Sequence, residues 1–250
     1  MAKQKGIVPL VGTLGGLNFY YLKGKPVVRV AGGGFNGKAI KTKPSMQRVR
    51  ENGAEFGHCS RVNKAFRRAL QPLYAGHHLG YFHSRLMTLF TQLKDLDATS
   101  KRGQRKVSEG VATPNGLLLL QQFAYTPDCI LKRVVPYPME YDAASHTLTI
   151  IHFDIQKLPF AVGATHVELC FGVLGFDFET LEHELYLDTP RVMDTAATDS
   201  TLVFQVAVPP NAPGIPMGVL GVRFYQEVNE QLYKLNSADS VGFGVIVSSE

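Results

Sequence analysis

The hydrophobic period of the chain changes near residue 117, and this change limits the folds that the chain can adopt. Before that point, apolar residues recur at steps of three and four, the spacing of one face of a helix. After it, short runs of apolar and alternating residues are separated by turn residues, which indicates β-strands. The sequence therefore predicts an α+β protein whose second half is an antiparallel β-structure.

The first 31 residues form an exception to the helical first half. Segments 7–11, 17–21 and 27–30 read as strands separated by Gly-containing turns, which predicts a β-meander over residues 6–31. Residues 32–43 are rich in Gly and Lys, and we expect a linker there. An apolar stripe from Met46 to Leu73 then predicts one long helix, or two helices broken near Gly57.

Further elements follow the same criteria. We expect a second helix over about 79–96, a helical turn around 105–107, and a hairpin turn at 141–146. The candidate strands are 117–123, 129–135, 148–153, 166–173, 182–187, 201–208, 218–228, 232–235 and 241–247. Seven to nine short strands at this spacing are typical of an immunoglobulin-like or jelly-roll β-sandwich. The predicted domains are a basic region over 1–116 and a sandwich over 117–250.

Charge is distributed very unevenly along the chain. Up to Val135 there are 22 Lys and Arg against 6 Asp and Glu, a net charge of +16. From Pro136 onward there are 4 Lys and Arg against 15 Asp and Glu, a net charge of −11. This asymmetry indicates either a polyanionic partner for the first half or association between oppositely charged halves.

The basic residues of the predicted helical region are the strongest functional signal. They interleave with the apolar stripe, where few acidic residues accompany them, and Arg side chains suit phosphate or carboxylate partners. The candidate contact surface comprises Lys41, Lys43, Arg48, Arg50, Arg61, Lys64, Arg67, Arg68, Lys101, Arg102, Arg105 and Lys106.

Three patterns resemble catalytic or ligand sites, and each lacks a necessary part. Segment 32–38 fits a phosphate-binding loop, but Ala39 replaces the hydroxyl residue and no suitable helix is expected after it. The histidines and Cys59 between residues 58 and 83 lack the spacing of zinc ligands. The acidic residues between 177 and 188 are better explained as charges that guard an edge strand than as a catalytic pair. We therefore expect no enzyme activity, cofactor or metal.

Several strings in the first 110 residues resemble an uncharacterised protein family common in Bacteroidota genomes. They are Gln4-Lys5-Gly6-Ile7, Gly12-Thr13-Leu14-Gly15-Gly16-Leu17-Asn18-Phe19-Tyr20, Arg50-Glu51-Asn52-Gly53-Ala54-Glu55-Phe56-Gly57 and Arg102-Gly103-Gln104-Arg105. The resemblance implies a bacterial source and a modular plan of basic meander, helices and sandwich. It implies no catalytic residue, because the family has no established activity.

The predicted location and function follow from these features. No signal peptide or membrane span is recognisable, and three widely spaced cysteines suit a reducing compartment. We therefore expect a cytoplasmic protein, and the alternative is export by an unrecognised route. The function predicted is that of a structural assembly protein, which forms a homo-oligomer or filament by docking its basic half on an acidic sandwich. The alternative is a nucleic-acid-binding protein whose basic helices contact phosphates.

Overall fold

The computed structural model describes residues 2–4, 10–32 and 37–246. The chain divides into two compact units, Met1–Ala54 (unit 1) and Glu55–Glu250 (unit 2). The boundary predicted at 116/117 therefore falls inside unit 2. The predicted combination of a strand meander, helices and antiparallel β-structure is confirmed, and the choice between immunoglobulin-like and jelly-roll topology stays a prediction.

Unit 1 contains the predicted meander as a four-stranded sheet, called sheet A. Its strands are β1 (Ala2–Lys3), β2 (Gly12–Leu14), β3 (Leu17–Leu22) and β4 (Lys25–Val30), in the order β1-β4-β3-β2. Gly15 and Gly16 have positive φ angles, which glycine adopts without strain, and they form the predicted turn between β2 and β3. Most of predicted strand 7–11 lies outside the described residues.

The expected linker over 32–43 is wrong in its second half, where a short helix forms. Helix α1 (Gly37–Thr42) is closed by the Thr42 hydroxyl, which donates to the Lys38 carbonyl. Helix α2 (Gln47–Ala69) then runs without a break past Gly57, so the single long helix is the correct one of the two predicted alternatives, and the division between the units falls inside it.

After α2 come the helices α3 (Phe82–Asp95), α4 (Val107–Val111), α5 (Pro114–Gln122) and α6 (Leu131–Val134). Helices α2 to α5 pack on one face of a β-sheet, whereas α6 packs into the hydrophobic core on its other face. Two predicted strands are wrong: segment 117–123 lies mostly in α5, and segment 129–135 forms a turn and α6. The α5 helix begins where the Thr113 hydroxyl accepts from the Gly116 N–H and Pro114 takes the first helical position.

The remaining strands form two antiparallel sheets. Their strands are β5 (Met139–Asp142), β6 (Thr147–Ile151), β7 (His166–Phe176), β8 (His183–Leu187), β9 (Arg191–Asp194), β10 (Thr201–Gln205), β11 (Ile215–Val228), β12 (Gln231–Lys234) and β13 (Val241–Ile246). Sheet B has the order β10-β6-β5, and sheet C has the order β12-β11-β7-β8, with β13 also pairing β11 and β9 also pairing β7. The sequence did not predict β5 or β9.

Sheet C is covered on both faces. Phe171 and Val222 pack with sheet B in one hydrophobic core, whereas Phe176 and Val219 pack with α2 and α3 in another. This double burial explains why β7 and β11 carry nearly continuous apolar runs rather than alternating ones.

Candidate functional site

A buried carboxylate organises the basic loop that follows α3. Glu55, on α2, accepts from the Gly103 N–H and from Arg105 Nε through Oε1, at 2.7 and 2.8 Å. Its Oε2 accepts from Arg105 Nη2 at 2.7 Å and from Lys94 Nζ at 2.8 Å. Asp95 completes this group, called the Glu55 cluster, by pairing with both cations. The Arg105 guanidinium, followed by Lys94 and the Gly103 N–H, holds the pKa of Glu55 well below its usual range despite burial.

Asp97 closes the same loop from its other end. Its Oδ1 accepts from the N–H groups of Thr99 and Ser100, and its Oδ2 accepts from the Lys106 N–H at 2.9 Å. Burial raises the pKa of Asp97, but these hydrogen bonds outweigh burial and leave the pKa well below its usual range. Two buried anions thus fix the path of residues 97–106.

His58 adds a third fixed point beside the loop. The Val107 N–H, at the first residue of α4, donates to His58 Nε2 at 3.0 Å, so that nitrogen carries no proton. Burial and, after it, the charge of Arg61 lower the pKa of His58. His58 therefore serves here as a neutral hydrogen-bond acceptor at a helix start, not as a member of the suspected ligand group.

Some of the predicted basic residues have partners within the chain, and many of them are exposed. Arg105 belongs to the Glu55 cluster, and Lys106 Nζ pairs with Glu179 of the acidic half at 2.6 Å. Arg67 is half-buried and donates to Asn63 at 3.0 Å. Arg48 pairs with Glu51, and Arg50 donates to backbone carbonyls within unit 1.

The exposed members of the predicted set are Lys41, Lys43, Arg48, Arg61, Lys64, Arg68, Lys101 and Arg102.

Three exposed cations on α2 form what we call the basic stripe: Arg61, Lys64 and Arg68. At about 100° per residue they lie within about 60° of one another, over about 10 Å of the helix axis. Within the described parts of the chain none of them forms an ion pair or a side-chain hydrogen bond. The basic stripe is therefore available to an anionic partner.

Three sequence motifs were considered as catalytic or ligand sites. Positions 33–36 of segment 32–38 lie outside the described residues, and the expectation that no helix follows this segment is wrong, because the six-residue helix α1 begins at Gly37. No group of three His, Cys, Asp or Glu side chains in the described chain could hold a metal ion. The acidic residues between 177 and 188 have separate local roles: Asp177 caps a turn, Glu179 pairs with Lys106, and Glu184 accepts from Tyr186 on edge strand β8.

Sheet A presents an apolar surface to solvent. Cross-strand partners share a face, so the register Leu17↔Val30, Phe19↔Val28 and Tyr21↔Pro26 places apolar side chains together. Leu14 pairs with Leu17 and joins them. We call this set the apolar face; its members are Leu14, Leu17, Phe19, Tyr21, Pro26, Val28 and Val30. Leu14 is 68% and Val30 72% exposed, which is unusual for side chains that share one side of a sheet.

Unit 2 contains a cavity of about 450 Å³, called the edge cavity. Its walls come from the end of α5 and the chain after it, from α6, and from strands β5 and β13. Lys132 contributes a charge, and the lining includes five aromatic rings: Phe123, Tyr125, Tyr137, Tyr141 and Phe243. The sequence prediction missed this cavity because it interpreted both segments between residues 117 and 135 as strands.

Comparisons of the chain with protein-family models, with curated proteins and with solved structures find no match. The resemblance to a Bacteroidota family therefore stays a prediction. Among the helices of the described chain, none is both long and apolar enough to cross a membrane.

Proposed function

We propose that this protein is a non-enzymatic assembly protein that associates with further copies of itself. The observation that carries the proposal is the apolar face of sheet A. Among the described residues of unit 1, the buried apolar side chains are those of Val27 and Ala39. Two such side chains contribute far less than the conformational entropy lost on ordering a four-stranded sheet, so the sheet gains stability when a partner covers it.

Charge favours a head-to-tail arrangement of copies. Unit 1 has ten Lys and Arg against one Glu, a net charge of +9, whereas the chain from Pro136 onward has a net charge of −11. Two copies of unit 1 would repel each other, but unit 1 of one copy is complementary to the acidic sheets of another. A contact between two different surfaces generates rings or filaments.

The test is light scattering after size-exclusion chromatography, comparing Val30→Asp with Asn18→Asp. Both variants add one negative charge to sheet A, but Val30 lies on the apolar face and Asn18, which pairs with Arg29, lies on the opposite one. We expect Val30→Asp to dissociate the assembly and Asn18→Asp to leave it intact. Equal behaviour of the two variants would contradict a role for the apolar face.

A second candidate function, binding of a polyanion such as nucleic acid, is favoured by the basic stripe. Three unpaired cations spaced along about 10 Å of helix suit successive phosphates. The test is binding to single-stranded RNA by a variant with Glu at all three stripe positions. The matched control, with the same change of charge, carries Arg133→Glu, Lys157→Glu and Lys234→Glu. Loss of binding in the stripe variant alone would support this candidate, and equal loss in both would leave only net charge as the cause.

A cytoplasmic location is part of the proposal. Cys59, Cys129 and Cys170 are all free and buried, as expected of a protein kept in a reducing compartment.

A further inference from the structure

Two strand edges open into the edge cavity. Strand β13 pairs with β11, and β5 is the terminal strand of sheet B. Residues of both strands line the cavity: Met139 and Tyr141 from β5, and 243–246 from β13. Edge strands carry backbone N–H and C=O groups that an added strand can satisfy.

Hydrogen bonding shows which groups of β13 face the cavity. The Phe243 N–H donates to the Thr126 hydroxyl at 3.2 Å and so points away from β11. Backbone directions repeat every second residue of a strand, so the N–H and C=O of Val245 also point away from β11. Within the described chain neither group has a hydrogen-bond partner, although the Val245 side chain is buried.

Strand β5 presents its backbone in the same way. The Pro138 carbonyl accepts from the Ile151 N–H, which directs the backbone of residue 138 toward β6. The N–H and C=O groups of Met139 and Tyr141 therefore point away from β6. Within the described structure these N–H groups have no acceptor and these C=O groups have no donor. Backbone groups that have no partner in the protein and lie beside an apolar cavity suit an extended peptide with apolar side chains.

The walls of the cavity also suit such a segment. Phe123 and Tyr125 contact edge to face with ring centroids 4.9 Å apart, and Tyr125 contacts Phe243 at 5.5 Å. A volume of about 450 Å³ accommodates the side chains of a few residues rather than a globular surface.

We propose that the edge cavity receives residues 10–14 of a second copy, which add as a strand to the free edge of β13. This inference rests on the proposed self-association and names the acceptor site for it. In unit 1, β2 is itself an edge strand of sheet A. Leu10, Val11 and Leu14 are 49%, 74% and 68% exposed, so the segment offers apolar side chains on both of its sides.

Two further observations favour this occupant. The Gln4 side chain accepts a hydrogen bond from the Leu10 N–H at 2.9 Å and donates one to the Leu10 carbonyl at 3.3 Å. These contacts fix the start of the segment before it binds, which lowers the conformational entropy lost on binding. The apolar face has seven members, well below the roughly 20–30 residues per partner of a standard stable interface. Strand addition at the edge cavity supplies a second contact from the same unit.

Two variants of the full chain close the acceptor site in different ways. Val245→Pro removes an N–H that β11 does not use, a substitution that edge strands tolerate. Ala124→Trp adds a ring to an exposed residue of the cavity lining. The control, Ala112→Trp, carries the same change at an exposed residue after α4. We expect both acceptor variants, but not the control, to self-associate at least about tenfold more weakly by light scattering, the effect of about 1.4 kcal/mol. Thermal unfolding like that of the wild type establishes that each variant is folded.

Mixing experiments identify the donor. Val11→Asp blocks the donor segment, and Val162→Asp, at a valine 93% exposed in unit 2, is its control. At a concentration at which the wild type assembles and each of Val11→Asp and Ala124→Trp alone is monomeric, their mixture should form a one-to-one dimer, because one donor and one acceptor remain intact. Absence of the mixed dimer, or wild-type association of both acceptor variants, overturns the inference. If both acceptor variants associate like the wild type, the proposed self-association stands and only the acceptor site is wrong. A wild-type protein that is monomeric at low salt would instead refute the proposed function.

Discussion

Replacing Glu55 by Gln should destabilise the protein more than any change to an exposed ion pair. The variant leaves Lys94, whose side chain is 9% exposed, and Arg105 facing a neutral amide in a buried site. Removing one partner of a buried ion pair costs about 3–5 kcal/mol. Asp95 remains 2.6 Å from Lys94 and 2.7 Å from Arg105, so we expect the lower end of that range, about 3 kcal/mol.

Thermal unfolding followed by circular dichroism measures this effect. For a chain of this size, about 3 kcal/mol lowers Tm by roughly 6–12 °C. The control is Glu179→Gln, which breaks a pair whose side chains are 45% and 53% exposed and should cost less than about 1 kcal/mol. If the two variants unfolded within about 2 °C of each other, the view of the Glu55 cluster as a buried clamp on the loop would be refuted.

The buried carboxylates, the buried thiols and the cap of α5 can each be tested by a simple measurement. The folded-state pKa values of Glu55 and Asp97 lie below their unfolded values of about 4. The stabilisation that the two carboxylates provide is therefore complete above about pH 5 and is lost as the pH falls further. The urea midpoint of the wild type should drop below about pH 5, and that of Glu55→Gln should drop by a smaller amount. Burial raises the pKa of Cys59 and Cys170 to about 11 and that of Cys129 to about 12. A disulfide reagent at pH 8 should therefore label no thiol until urea unfolds the chain. Rapid labelling of the native protein would contradict the burial of these thiols. Thr113→Ala removes the cap of α5 and should cost about 1 kcal/mol by urea unfolding, whereas Thr113→Ser should cost little.

The meander and the long helix could be predicted because local signals agree with the final structure. Gly15-Gly16 requires a turn whatever surrounds it, and the apolar stripe of α2 matches a single helix face. Segment 117–123 was misread because a run of four leucines has no period, and such a run fits a buried strand or a helix equally well. The helix-start signal of Thr113 and Pro114 was present and would have decided in favour of α5.

The candidate site was harder to predict because its decisive contacts are distant in sequence. Arg105 looks like a surface cation, but it pairs with Glu55, 50 residues earlier. Arg67 occupies the same helix as Arg68, yet it turns to Asn63 while Arg68 stays exposed. The strand pattern of the meander does not show whether its apolar side is covered, so the apolar face could not be predicted from it. Patterns in sequence give the face on which a side chain lies, and long-range packing decides whether that face is covered.

The central claim is that copies of this chain associate through oppositely charged surfaces and apolar contacts. Light scattering after size-exclusion chromatography, at low and at high salt and with absorbance read at 260 and 280 nm, tests it most directly. We expect a mass above one copy at low salt and a protein-like absorbance ratio. Higher salt should lower the mass, because exposed charges are screened over about 8 Å at physiological ionic strength. A monomer of 27.5 kDa under every condition, at concentrations up to the millimolar range, would contradict the claim.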